Sequence, residues 1–156
     1  MDSKTLIIVI IVIVVLLLLL WWLLSSSKPG PSNQVNLATN LNGSIGLIPA
    51  NGKGQFTYNP NTKTLNYQVT LVGPTTNDVG EAHIYDSTGI VKDIVFTNTT
   101  INGTPAIIST GTWTSTDQTQ PLTPDLIGKL LSGQLSVRIT PTIGNPINGQ
   151  ITPLLK

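Results

Sequence analysis

The hydrophobic pattern divides the chain into two unlike parts. Leu6 to Leu24 is an unbroken run of 19 apolar residues, after which apolar positions recur only in short alternating stretches. As a helix, that run rises about 28 Å at ~1.5 Å per residue, close to the ~30 Å hydrocarbon core of a bilayer. Trp21 and Trp22 stand near its end, where indole rings favour the headgroup interface. The run is longer than the ~7–15 apolar residues of a signal peptide, and no A-x-A site follows it. The pattern predicts a tail and transmembrane anchor over 1–24, with the lipid bilayer as partner of Leu6 to Leu24. Lys4 and Asp2 on one flank and Lys28 on the other are too even to fix its orientation. Ser25 to Asn33 (SSSKPGPSN) has linker composition, so a separate domain is expected over 34–156.

Beyond the linker the period is two. Leu65, Tyr67, Val69 and Leu71 alternate with Asn66, Gln68 and Thr70, and Leu135, Val137 and Ile139 alternate with Ser136, Arg138 and Thr140. Further strands are expected at Val35–Leu41, Gln55–Tyr58, Glu81–Tyr85, Ile90–Thr97, Ala106–Thr114 and around Gln150–Leu154. Turns are expected at Asn42-Gly43, Asn51-Gly52, Asn59-Pro60, Gly73-Pro74, Ser87–Gly89, Asn102-Gly103 and Asn148-Gly149. About eight strands predict an all-β domain, an antiparallel β-sandwich or small barrel. One segment has the helical period instead. Thr123 is an N-cap residue, Pro124 suits the first helical position, and Leu126, Ile127, Leu130 and Leu131 form an apolar stripe closed by Gly133. The helix is expected to bury Leu126, Leu130 and either Ile127 or Leu131.

Charge and composition narrow the function. Eight basic and seven acidic residues leave a net charge of +1, and no stretch gathers the Lys and Arg that nucleic acid or anionic lipid requires. The chain has no Cys and one histidine, His83, so thiol chemistry and multi-histidine metal sites are excluded. No cofactor is expected. No Walker loop, G-x-S-x-G elbow or H-E-x-x-H helix occurs.

Short motifs occur in order: Gly54, Leu65-Asn66-Tyr67, Ala82-His83-Ile84, Gly111-Thr112-Trp113, Leu122-Thr123, Leu130-Leu131-Ser132-Gly133, Asn145-Pro146 and Gly149-Gln150-Ile151. Together they resemble a CHRD (chordin-type) domain over roughly residues 36–154. The resemblance implies an extracytoplasmic all-β module from a family whose members are mostly non-catalytic or without an assigned activity. Where the family carries further histidines this chain has Tyr85 and Thr140. A ligand set built on those histidines is therefore incomplete here.

The candidate interaction surface is Glu81, His83, Tyr85, Asp86, Trp113 and Arg138. Alternation places Glu81, His83 and Tyr85 on one face, where Glu81, His83 and Asp86 form a possible cation-binding or partner-binding cluster. The plainer reading is a histidine hydrogen-bonded to a neighbouring strand or loop. Trp113 is a core residue or, if exposed, a partner anchor. Arg138 is expected in a cross-strand ion pair, or free to accept a partner's carboxylate. With 33 Ser and Thr in the chain, a hydroxyl beside His83 would not by itself mark catalysis. The sequons at Asn42, Asn98 and Asn102 match chance frequency.

The expectation is a non-enzymatic, single-pass, membrane-anchored structural module that contacts neighbouring structural or surface proteins. Its β-domain is expected on the extracytoplasmic side of a microbial membrane or exposed in a membrane-containing large virion. The alternative is a binding module for a glycan, polymer or weakly held cation.

Overall fold

A computed structural model describes residues 33–154. The expected anchor, Trp21 and Trp22, and the linker up to Ser32 lie outside the described residues. Among the described residues no helix is long and apolar enough to cross a membrane.

The described chain is mostly β. In order, it forms β1 (Val35–Ile45), β2 (Ile48–Asn59), β3 (Thr64–Val72), β4 (Val79–Asp86), β5 (Gly89–Asp93), β6 (Thr97–Ile101) and β7 (Thr104–Thr114). Helix α1 (Pro124–Leu131), β8 (Ser136–Pro141), β9 (Ile147–Gln150) and β10 (Thr152–Pro153) follow. A large sheet has the order β10-β1-β2-β3-β7-β6, and a small one the order β5-β4-β8-β9. Every pairing is antiparallel. The arrangement is sandwich-like: inward residues of both sheets, among them Leu41, Phe56, Val69, Ile84, Val137 and Ile139, form one core.

Ten strands replace the eight expected. The final strand divides into β9 and β10, and the run expected at Ile90–Thr97 ends at Asp93. Strand β6 was not foreseen, because four of its five residues (Thr97, Asn98, Thr99 and Thr100) are exposed and leave no alternation to read.

Three Asn-Gly pairs expected as turns, Asn42-Gly43, Asn51-Gly52 and Asn148-Gly149, lie inside strands instead. Gly52 and Gly149 serve close backbone approach, and at Gly43 the Ile147 side chain occupies the space a Cβ would need. A Cβ on Gly52 would stand 2.2 Å from the Thr70 carbonyl oxygen; one on Gly149 would stand 2.4 Å from that of Asn40. Gly149 thereby lets β9 of the small sheet close against β1 of the large one. The β1–β2 turn falls at Gly46-Leu47, with Gly46 at φ +58.

The helix forms as its sequence dictates. Thr123 Oγ1 accepts the Leu126 N–H at 3.3 Å, and Gly133 takes φ +70 just past the end. Leu130 is fully buried, Leu126 and Ile127 are half-buried against the core, and Leu131 faces solvent.

Candidate functional site

The outer face of the small sheet carries most of the expected surface. Register sets Asp93 of β5, His83 of β4, Arg138 of β8 and Asn148 of β9 in one cross-strand row. His83 Nδ1 lies 2.7 Å from Asp93 Oδ1, and Nε2 lies 3.4 Å from Glu81 Oε2. The Gln120 amide and then His83 hold the Asp93 carboxyl below its ordinary range. Tyr85 meets His83 edge-on with ring centroids 5.8 Å apart, and the Arg138 guanidinium sits 5.6 Å from the Tyr85 centroid. Arg138 thus packs on an aromatic ring. Among the described residues it forms no ion pair, contrary to the plainer expectation.

Two expected members stand elsewhere. Asp86 does not join Glu81 and His83. Its Oδ1 accepts from the Thr88 N–H and hydroxyl, both at 2.7 Å, and from the Gly89 N–H at 3.1 Å, closing the β4–β5 turn. Its Oδ2 accepts from Lys129 Nζ at 2.8 Å, which ties that turn to α1. Lys129 first, then the Thr88 hydroxyl and amide, hold the Asp86 carboxyl far below the usual carboxylate value. Trp113 is fully buried, and its indole N–H donates to the Gln120 carbonyl. It is a core residue and cannot anchor a partner.

Asp93 and Gln120 were missed. The signal for Asp93 was the Ser87–Gly89 turn, which starts a hairpin pairing β4 with β5. A bulge between Ile84 and Tyr85 shifts the register by one residue, so counting outward from the turn misplaces His83's neighbour. Gln120 belongs to the loop after β7. That loop docks on β5 through a Lys92–Asp117 ion pair and the Asp93 N–H, which donates to Gln120 Oε1 at 2.9 Å. Lys92 and the Gln120 and Thr119 amides draw the Asp117 pKa down to about 2.

The chemistry of this face is limited. Among the described residues the hydrogen-bond partners of His83 are two carboxylates and no hydroxyl, and no three His, Asp or Glu side chains converge as a metal-binding group. A groove of about 240 Å³ beside Glu81 is floored by Val79, Ala82, Ile94 and Phe96 and brings in no acid–base pair.

The outer face of the large sheet differs in kind. Register aligns Asn36, Thr57, Asn66 and Thr112 in one row, then Ala38, Gln55, Gln68 and Thr110, then Asn40, Lys53, Thr70 and Ile108. Amides and hydroxyls dominate it, and Lys53 is the one charge in these rows. A hollow of about 500 Å³ opens among Asn40, Asn42, Asn51, Lys53, Gln68 and Val72. The polar halves of these strands were legible one by one; the strand order that makes them one surface was not.

No family model, curated protein or solved structure matches the chain.

Proposed function

We propose that the chain is a non-enzymatic, membrane-anchored structural module whose β-domain contacts neighbouring proteins through the outer face of its large sheet. The single observation behind this reading is that face: a broad, nearly uncharged array of Asn, Gln and Thr. Neutral amides and hydroxyls cost less to desolvate than charges, and they supply both donors and acceptors to a partner. The 19-residue apolar run supports a single-pass anchor, and the nine-residue linker limits how far the domain stands from its bilayer. The CHRD-like motifs support an extracytoplasmic or virion-exposed placement. The partners are neighbouring surface or shell proteins.

The test uses the full chain. After alkaline washing, the protein stays in the membrane fraction; after mild detergent extraction, a stoichiometric protein neighbour co-purifies. Gln55→Glu combined with Gln68→Glu places two charges on the face and removes that neighbour while the fold persists. Release by alkaline wash overturns the anchor, and unchanged co-purification overturns the role of the face.

The ligand-binding alternative retains one supporting observation, the hollow beside Lys53. Its original set does not assemble, since Trp113 is interior and Asp86 is committed to its turn and to Lys129. Saturable binding of a glycan or polymer by the full chain, lost in Lys53→Ala, would favour it.

A further inference from the structure

The two sheets have four edge strands, β10 and β6 in the large sheet and β5 and β9 in the small one. An open edge presents unpaired backbone N–H and C=O groups to any strand that approaches, so folded proteins cover, shorten or charge their edges. Three edges here are managed in that way. Strand β10 is two residues long and ends in Pro153. Strand β5 carries Lys92 and Asp93 and lies under the loop whose Gln120 and Asp117 bind them. Strand β9 is short and closes against β1 through Gly149.

Strand β6 is neither charged nor interrupted among the described residues, and the loop that meets it bonds at Asn98. Its five residues, Thr-Asn-Thr-Thr-Ile, include no charge and no Pro, pair with β7 without a bulge, and leave Thr97 to Thr100 exposed. Thr and Ile also favour extended backbone. The edge is pre-formed, because Asn98 is fixed to the loop before β4: the Thr76 N–H donates to Asn98 Oδ1 at 2.8 Å, and Asn98 Nδ2 donates to Thr76 Oγ1 at 2.9 Å.

We infer that β6 is a self-association edge, pairing antiparallel with β6 of a second copy about a two-fold axis at Thr99. A second copy fits because the strand is self-complementary in that register. Thr99 faces Thr99, Asn98 faces Thr100, and Thr97 faces Ile101, so no charge meets a like charge, and a hydroxyl pair at the centre is flanked by amide–hydroxyl pairs. The same register carries Val95, 78% exposed in the single chain, toward the other copy's β6–β7 turn and gives that apolar side chain cover. The two large sheets then run on as one continuous sheet, with their neutral outer faces joined.

The absence of cysteine makes a direct test available. Single-cysteine variants of the full chain are reconstituted in phosphatidylcholine vesicles, oxidised mildly and resolved without reductant. Directly opposed residues lie within disulfide reach, so Thr99→Cys is expected to dimerise at least about tenfold faster than Thr140→Cys on the small sheet, which reports random collision. Thr97→Cys alone should stay at the collision rate, while a mixture of Thr97→Cys and Ile101→Cys should crosslink rapidly between the two variants. The mixed pair also reads the register if Thr99→Cys proves poorly folded. Equal rates for all variants overturn the inference. Rapid Thr97→Cys homodimers overturn the register and with it the two-fold axis at Thr99.

Discussion

The two outer faces use polar residues to opposite ends. Of the eleven charged residues from 33 to 154, nine lie on or around the small sheet, and only Lys53 and Lys63 belong to the large one. The charges near the small sheet are largely consumed within the domain. Lys129 joins Asp86 and Asp125, Lys92 joins Asp117, and His83 bridges Asp93 and Glu81. They dock α1 and the loop after β7 onto a sheet of only four strands. The large sheet, held by longer ladders, has no such fastening on its outer face, where Thr57 bonds to Asn36 and Thr112 to Asn66 across strands. Charge in this domain fastens parts of the fold together; the neutral polar face is the one proposed for contact.

Breaking the core beneath both faces has the largest expected effect. Leu130 is fully buried where α1 packs on the sheets. Leu130→Asp places an unpaired charge there at a cost of several kcal/mol, against a typical total of ~5–15 kcal/mol. Loss of the cooperative thermal transition is expected, and an unchanged midpoint would show that the helix is peripheral.

The next effect separates the faces. Asp86→Ala removes the acceptor shared by Thr88, Gly89 and Lys129, and a lowered midpoint is expected; a double-mutant cycle with Lys129→Ala measures the coupling. The same fastening predicts a pH profile. Asp78, Asp86, Asp93 and Asp117 all have depressed values in the folded state, so the stability they confer is present above the ordinary carboxylate value of 3.8. It is lost as pH falls from about 4 through the folded values. The raised pKa of Lys129, caused by Asp125 and then Asp86, gives the opposite sign at the other end: its contribution fades as pH rises above 10.5. Thermal melts should be flat from about pH 5 to 9 and fall on both sides. A midpoint that stays high at pH 2 would contradict the fastening role.

A smaller effect has the reverse sign. Thr39 is 2% exposed, and among the described residues its hydroxyl has no hydrogen-bond partner where β9 closes on β1. Thr39→Val removes an unsatisfied polar atom at nearly constant shape and should stabilise the domain by about 1 kcal/mol, read by denaturant melts. Destabilisation would reveal a partner for that hydroxyl. At the bottom of the scale, Gln55→Ala on the large sheet should change stability by less than about 0.5 kcal/mol. A larger loss would show that this face, too, serves the fold.

Legibility in the sequence followed the same division. Strand β3 and helix α1 were readable because one face of each is apolar at a fixed period: Leu65, Val69 and Leu71 in one, Leu126, Ile127 and Leu130 in the other. Strand β6 was not, since an edge wet on both faces has no period. The Asn-Gly pairs misled because glycine serves close approach as readily as it serves turns, and only the partner strand decides which. His83 was correctly placed on a face with Glu81 and Tyr85. Its carboxylate neighbour Asp93 depended on a one-residue bulge that no local pattern encodes; Trp113 was legible as a core residue, but the Gln120 carbonyl that its indole meets was not.

Photo-crosslinking from each face in turn tests the central claim most directly. A diazirine side chain is placed at Gln55 on the large sheet and, separately, at Thr140 on the small sheet, in the full chain in its native membrane. Discrete protein adducts of one size are expected from Gln55, with little beyond background from Thr140. Adducts from Thr140 alone, or equal yields from both positions, would contradict the assignment of contact to the neutral face.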